Sequence, residues 1–144
     1  MSKEKRFSSI KRIRQIKEDE VIKRLGAAQR NLNESEHFLG QLSEYRSQYL
    51  AKLQEKLRQN TDSSTLQNYH HFMQQLDAVI AKQRNKIQEN QHHVHQQQSD
   101  WRKANRETES LSWLINKMQA EQQLAENRRE QRITDEYGQR KKDK

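Results

Sequence analysis

Residues 21–53 read VIKRLGAAQRNLNESEHFLGQLSEYRSQYLAKL, and this stretch decides the fold. Its apolar side chains recur at alternating intervals of four and three, interrupted only by Ser35 and Arg46. A mean interval of about 3.5 residues is the repeat of a left-handed coiled coil. We therefore predict a long helix with a narrow apolar seam. Its members are Val21, Leu25, Ala28, Leu32, Leu39, Leu42, Tyr49 and Leu53.

A second seam follows the polar run NTDSS at residues 60–64, the one breaker segment of the chain. Ser63 or Ser64 is expected to cap the helix that follows. Polar side chains such as Gln83, Asn90 and Gln97 share the register of this seam, where they lower stability and fix alignment. The apolar members are Leu66, Tyr69, Met73, Leu76, Ile80, Ile87, Val94, Trp101, Ala104, Leu111, Ile115, Met118 and Ala125.

Two long helices joined by a short turn must lie antiparallel. We predict an all-α fold, a long two-helix antiparallel coiled-coil hairpin that forms one thin, rod-like domain. The first helix is expected over about residues 4–59, the turn over about 60–64 and the second helix over about 65–138, before a frayed basic tail. Folding about residue 62 would bring Leu42 near residue 82 and Lys5 near residue 120. Upstream of this seam, Phe7, Ile10, Ile13 and Ile16 leave its register, so these turns are expected to be looser or to face another surface.

The composition agrees with a narrow seam and limits the chemistry. Only 30% of the 144 residues are hydrophobic and 33% are charged, below the apolar share of globular domains. The chain contains no Cys, which excludes disulfides and thiolate metal sites. No stretch approaches the roughly 20 apolar residues of a membrane span, and no signal peptide is evident. We expect a soluble, cytoplasmic protein.

The sequence carries no pattern of an enzyme. Its three glycines lie too far apart for a phosphate-binding loop, and a two-helix coil has no enclosed pocket for catalytic groups. His92 and His95 share a helix face at a spacing that a metal site could use. No carboxylate in matching register completes such a site, so a solvated polar face is favoured. We predict no catalysis, no cofactor and no metal.

The net charge of +8 is concentrated toward the two ends of the chain. Residues 1–30 contain ten basic and four acidic side chains, and the segment from Arg128 onward is basic again. This charge fits a solubilising surface, docking onto an acidic protein surface, or nucleic-acid binding. Nucleic-acid binding is disfavoured because the basic residues run around the helix.

A second apolar stripe accompanies the seam in the half of each predicted helix nearest the turn. Because a two-stranded coil has no internal use for aromatic side chains outside its seam, the stripe favours a protein interface. The alternative is aromatic packing over the edge of the seam. This aromatic stripe comprises Phe38, Leu42, Tyr45 and Tyr49 on the first helix and Phe72, Leu76, Val79 and Gln83 on the second.

Three segments resemble the FliJ family of bacterial flagellar export proteins. They are EYRSQYLAKL at residues 44–53, NYHHFMQQLDAVIAKQ at 68–83 and AENRREQRITDEY at 125–137. The resemblance implies a cytoplasmic part of the flagellar type III export apparatus, peripherally associated with the inner membrane but not inserted in it. It also implies three kinds of partner: the hexameric export ATPase (FliI), the cytoplasmic domain of the export gate protein (FlhA), and export chaperones.

The resemblance also assigns roles to residues. The family's gate-binding surface matches Leu42, Tyr45, Tyr49, Phe72 and Leu76. Phe38, Val79 and Gln83 belong to the same surface but depart from the family's residues. The end with both termini is expected to enter the ATPase ring, which implies a contact by the basic side chains there. These are Lys5, Arg6, Lys11, Arg12, Arg14, Arg128, Arg129 and Arg132.

The resulting hypothesis is a non-enzymatic stalk, monomeric on its own, that links ATP hydrolysis in the ATPase ring to the export gate. A packed coil suits this role because bending or twisting it costs energy along its seam. The alternatives are the equivalent stalk of a virulence type III secretion system, a generic coiled-coil scaffold that self-associates through the stripe, and a nucleic-acid-binding coil.

Overall fold

The computed structural model describes residues 2–142 and contains two α-helices. Helix α1 spans Lys3–Arg58 and helix α2 spans Ser63–Lys142. The two helices pack against each other in antiparallel orientation, so the predicted all-α, two-helix hairpin is confirmed. Met1, Asp143 and Lys144, which the prediction placed at the two ends of the hairpin, lie outside the described residues.

The turn forms because both helix ends find hydrogen-bonding partners within four residues of sequence. Asn60 takes the left-handed conformation with φ 52°, which ends α1. The Thr61 hydroxyl donates a 2.8 Å hydrogen bond to the carbonyl oxygen of Lys56 in the last turn of α1. Asp62 caps α2, because its Oδ1 accepts a 3.2 Å hydrogen bond from the backbone N–H of Thr65. The cap is therefore Asp62, and the expectation of a serine cap was wrong: Ser63 is already the first helical residue.

Contacts group the chain into two compact units. We call Ile22–Asp100 the turn unit, and Met1–Val21 together with Trp101–Lys144 the terminal unit. Both helices contribute residues to both units.

The turn unit contains a mostly apolar seam. Its buried apolar side chains recur along α2 at intervals of three, four or seven, as the coiled-coil repeat requires. Three polar side chains, Ser35, Gln83 and Gln97, are buried in the same seam. The buried apolar residues are Ala28, Met73, Leu76, Ile80, Ile87 and Val94.

The terminal unit has a more polar seam. Val21 and Ile115 are its buried apolar side chains, and Thr108 is buried beside them. Along α1 the same register continues to the N-terminal end of the helix, through half-buried positions that are mostly charged. These positions are Glu4, Phe7, Lys11, Arg14 and Glu18.

The last part of α2 stands apart from this packing. All described residues from 121 to 142 are helical and exposed. Ala125 was predicted to lie in the seam, but it is exposed. The other seam positions of this segment hold polar side chains such as Gln122, Arg129 and Arg132, which offer no apolar stripe for a second helix. Within residues 2–142, neither helix contains a window apolar enough to cross a bilayer.

Candidate protein-interaction surfaces

The eight residues of the aromatic stripe all lie in the turn unit, at three levels of exposure. Phe38, Tyr45 and Val79 are exposed, at 46%, 49% and 45%. Three others are half-buried, and two lie inside the seam. The half-buried residues are Leu42, Tyr49 and Phe72, and the buried ones are Leu76 and Gln83.

The exposed residues of the stripe share one flank of the helix pair. Phe38 and Tyr45 each precede a seam residue of α1, and Val79 precedes the buried Ile80 of α2. In an antiparallel coil, the positions that directly precede the first apolar position of each heptad face each other on one side. Tyr45 and Phe72 show this arrangement, because their ring centroids lie 6.2 Å apart across the two helices in an edge-on geometry. Phe38, Tyr45 and Val79 therefore place exposed apolar side chains on the same flank.

The aromatic rings of the stripe also pack on one another. Tyr49 lies at the centre, with its ring centroid 4.4 Å from that of Phe72 and 4.9 Å from that of Tyr69. Burial raises the pKa of the Tyr49 hydroxyl, and the neighbouring tyrosines Tyr69 and Tyr45 raise it further. Part of the stripe thus widens the interhelical contact, as the alternative interpretation proposed. Tyr45 takes part in this contact and is also available to a partner, since its ring packs on Tyr49 and Phe72 and is half exposed.

Gln83, the polar member of the stripe, joins the two helices by a hydrogen bond inside the seam. Its side-chain Nε2 donates a 2.9 Å hydrogen bond to the backbone carbonyl oxygen of Ser35 on the opposite helix. Asn90 donates a hydrogen bond to the Ser35 hydroxyl in the next layer, and that hydroxyl donates in turn to the Asn31 carbonyl oxygen at 2.8 Å. Buried polar layers of this kind favour one alignment of two helices over shifted ones.

A shallow notch beside Phe38 extends the stripe away from the turn. The small side chain of Ser35 leaves this space in the seam, and Phe38 forms one wall of it. Phe38 and Gln83 belong to the stripe predicted from sequence, but the other five lining residues do not, because they carry no apolar signal. The lining residues are Asn31, Glu34, Ser35, Phe38, Gln83, Lys86 and Asn90.

An ion pair lies next to the seam of the turn unit. The Arg46 Nε donates a 2.6 Å hydrogen bond to Oδ1 of Asp77, joining α1 to α2. This hydrogen bond lowers the pKa of the Asp77 carboxyl and raises the pKa of the Arg46 guanidinium. Arg46 interrupts the apolar seam of α1 in the sequence, and the structure pairs it with a carboxylate of the other helix.

The basic residues predicted to contact the ATPase lie in the terminal unit. Most of them are exposed, but Lys11 and Arg14 are half-buried at seam positions. Arg14 donates a 3.0 Å hydrogen bond to the Glu107 carboxylate, so its charge is paired with a carboxylate of the same unit. The exposed members are Lys5, Arg6, Arg12, Arg128, Arg129 and Arg132.

The histidines lie on exposed helix surface. His70 and His71 approach the side chains of Gln74 and Gln75 one turn later, at 3.4 Å and 3.3 Å. Among residues 2–142, no three His, Cys, Asp or Glu side chains come together as a metal ion would require.

Comparison with known proteins agrees with the resemblance described above. The model of a protein family described as "Flagellar FliJ protein" matches residues 2–142. The chain belongs to the FliJ family. Family membership makes it a component of the flagellar protein export apparatus, and the family's role in that apparatus is non-catalytic.

Two curated FliJ proteins resemble this chain over nearly its whole length. The flagellar FliJ protein of Salmonella typhi is 25% identical over 134 residues, which cover 93% of this chain and 91% of the relative. The flagellar FliJ protein of Escherichia coli strain K12 is 24% identical over the same length and coverage. No solved structure matches the chain.

Proposed function

We propose that this FliJ-family chain is a non-enzymatic connector of the flagellar export apparatus. Its terminal unit binds the export ATPase, and its turn unit binds the cytoplasmic domain of the export gate protein. It also binds export chaperones, works in the cytoplasm beside the inner-membrane export apparatus, and is a monomer on its own.

The observation that carries this proposal is the exposed part of the aromatic stripe. Phe38, Tyr45 and Val79 place apolar surface on one flank of the turn unit, outside the seam that holds the two helices together. Burying apolar and aromatic surface against a partner is favourable, and Tyr is among the residue types that dominate binding energy at interfaces. The flank therefore has the composition of a docking site.

Charge distinguishes the two units and supports different partners for them. The terminal unit contains 18 basic and 12 acidic side chains, a net charge of +6, whereas the turn unit contains 10 and 8, a net charge of +2. A strongly basic surface accelerates association with acidic partners. The turn unit relies on apolar contact instead.

A connector of this kind increases the local concentration of one partner near the other. When one unit is bound, binding at the second becomes effectively intramolecular, so two modest affinities produce a much tighter assembly. Each contact can then remain weak enough to release during export.

The proposal is tested by replacing the exposed residues of the stripe. The triple variant Phe38→Ala, Tyr45→Ala, Val79→Ala should weaken binding to the purified cytoplasmic domain of the export gate protein by about tenfold or more. The control is Ile22→Ala with Leu57→Ala, two exposed apolar residues of the same unit outside the stripe. Isothermal calorimetry measures both affinities, and circular dichroism checks that both variants remain helical.

Unchanged gate affinity in the triple variant would contradict the proposal. The half-buried Tyr49 and Phe72 are poorer test positions, because their rings also pack between the helices and their removal loosens the seam. The scaffold alternative predicts that the wild-type chain dimerises through the same stripe. Sedimentation equilibrium should show a monomer, and a dimer that the triple variant dissociates would favour the scaffold.

A further inference from the structure

Three isoleucines of α1 in the terminal unit face solvent. Ile10, Ile13 and Ile16 are 42%, 54% and 53% exposed, although they are the most apolar side chains in the first five turns of the helix. They follow one another at intervals of three, so the three side chains lie within about 120° of the helix circumference and about 9 Å along its axis. We call these three residues the isoleucine face.

The isoleucine face is not a misplaced part of the seam. Four seam positions in this part of α1 hold charged side chains, and three of these four are hydrogen-bonded to α2. Arg14 pairs with Glu107 at 3.0 Å, and the Asn105 and Gln119 side chains donate hydrogen bonds to Glu18 and Glu4 at 2.9 Å and 3.0 Å. Helix α1 therefore packs through its polar positions and leaves its isoleucines for another surface.

We propose that the isoleucine face is the apolar anchor of a helix-in-groove contact with a folded protein whose groove has an acidic rim. Helices bind such grooves through side chains on one face, at spacings of three and four residues. This inference rests on the proposed function, under which the partner is the export ATPase. It assigns the binding energy to the isoleucines and gives the surrounding basic residues the role of steering.

Charge complementarity specifies the acidic rim. Residues 3–17 contain seven basic side chains and one acidic side chain. Lys3, Arg6 and Lys17 are exposed and lie one heptad before or after Ile10 or Ile13, so they extend the same face. A second copy of this segment would bring like charges together, which opposes self-association through the face. A partner with carboxylates around an apolar groove fits both features.

The size of the face favours a protein groove over a lipid surface. Helices that lie in a membrane interface carry a large apolar face along their length. Here the same face becomes polar after Ile16, with Lys17, Glu20 and Lys23. A three-residue apolar patch is the right size for a local groove on a protein.

The test uses the full-length chain with Ile10→Gln, Ile13→Gln and Ile16→Gln combined. Glutamine favours helix formation about as well as the residues around it, and the positions are exposed, so helicity should be retained. The matched control is Ile22→Gln, which changes an isoleucine of the same helix that is 47% exposed and lies outside the face. Binding to the purified export ATPase is measured for each. The triple variant should lose about tenfold or more in affinity, and the control less than about twofold.

Charge reversal provides an independent test of the acidic rim. Arg6→Glu with Lys17→Glu should slow association with the ATPase and reduce the dependence of association on salt, while dissociation changes little. Unchanged association, with an unchanged dependence on salt, would contradict the proposed rim.

The outcomes separate the inference from the proposed function. If the wild-type chain does not bind the ATPase, the proposed function fails and the inference fails with it. If the wild type binds and the triple variant binds equally well, the isoleucine face is not the anchor and only the inference is overturned.

Binding of the same variants to vesicles that contain phosphatidylglycerol is a third measurement. Loss of vesicle binding in the triple variant, with ATPase binding unchanged, would assign the face to a membrane and overturn the inference.

Discussion

The turn unit buries Leu76 and Ile80 in its seam, whereas the terminal unit places Lys11 and Arg14 at seam positions and exposes Ile13. The same two helices contribute to both units, so the difference lies in which side chains reach the seam. In the turn unit, apolar burial holds the helices together and the surplus apolar side chains form a flank beside the seam. In the terminal unit, polar pairs add to the few apolar contacts between the helices, and Ile10, Ile13 and Ile16 of α1 point outward.

This difference indicates that the turn unit supplies most of the stability and that the terminal unit supplies more of the charged surface. An apolar seam stabilises more than exposed ion pairs and amide contacts do, because exposed pairs contribute little in water. The turn unit is therefore expected to be the stable part of the chain. The terminal unit contains fewer buried apolar residues and more net charge, so a larger share of its surface is available for partners.

The largest expected effect is on the seam of the turn unit. Ile80→Ala removes a buried side chain and should lower the free energy of unfolding by about 2–4 kcal/mol. Val79→Ala, the adjacent but exposed position, should change it by less than about 0.5 kcal/mol. Urea denaturation followed by circular dichroism measures both. Similar losses at the two positions would show that this unit does not depend on its apolar seam.

A smaller effect of opposite sign is expected in the terminal unit. Lys11→Leu replaces a charged residue at a half-buried seam position and should stabilise the chain by about 1 kcal/mol, because a charge at such a position lowers stability. Arg12→Leu is the control, since the next position is exposed and offers little apolar burial. Thermal denaturation compares the two variants. If Lys11→Leu lowered the melting temperature, the charged seam would itself be stabilising and the contrast between the units would be lost.

The smallest effect concerns pH and the ion pair of the turn unit. The pKa of Asp77 is lowered by its hydrogen bond with Arg46, so the folded value lies below the unfolded one. The contribution of the pair is therefore present above the unfolded pKa of about 3.9 and is lost as pH falls through the folded pKa. The Arg46 and Asp77 side chains are 39% and 51% exposed, so screening by solvent keeps the contribution small.

The pH dependence is checked with Asp77→Asn. This variant should lose slightly less thermal stability than the wild type between about pH 5 and pH 2, where carboxylates become protonated. Glu44→Gln, at an exposed position of the same unit, serves as the control. A larger acid sensitivity in Asp77→Asn would contradict the assigned role of the pair.

Much of the fold could be predicted because the coiled-coil repeat is visible in sequence. The intervals of three and four from Val21 to Leu53 specify a helix and its buried side without knowledge of any distant contact. The polar run at residues 60–64 likewise marks the turn. Its cap was misassigned to a serine because Asp62, Ser63 and Ser64 all suit a cap, and only the backbone geometry shows which side chain faces the free N–H groups.

The candidate surfaces were less predictable. The stripe was found from spacing, but spacing does not distinguish the exposed Phe38 from the half-buried Phe72, since both lie outside the seam at the same position of the repeat. The polar notch beside Phe38 has no sequence signal, because Ser35 and Asn90 come together only when the helices pair. Lys11 and Arg14 were grouped with the exposed basic residues, since charge alone favours exposure, yet they lie at half-buried seam positions.

The sequence by itself determined that this chain forms two long helices, where they turn, and which narrow side of each is apolar, because these follow from the local repeat. Family membership also follows from the sequence, over residues 2–142. The tertiary structure decided how the remaining apolar residues are used. Tyr49 and Phe72 pack between the helices, Tyr45 stands at their edge, and the isoleucine face points to solvent. The physical reason is that the exposure of each side chain depends on the residues of the facing helix. The repeat within one helix does not specify which side chains lie opposite it.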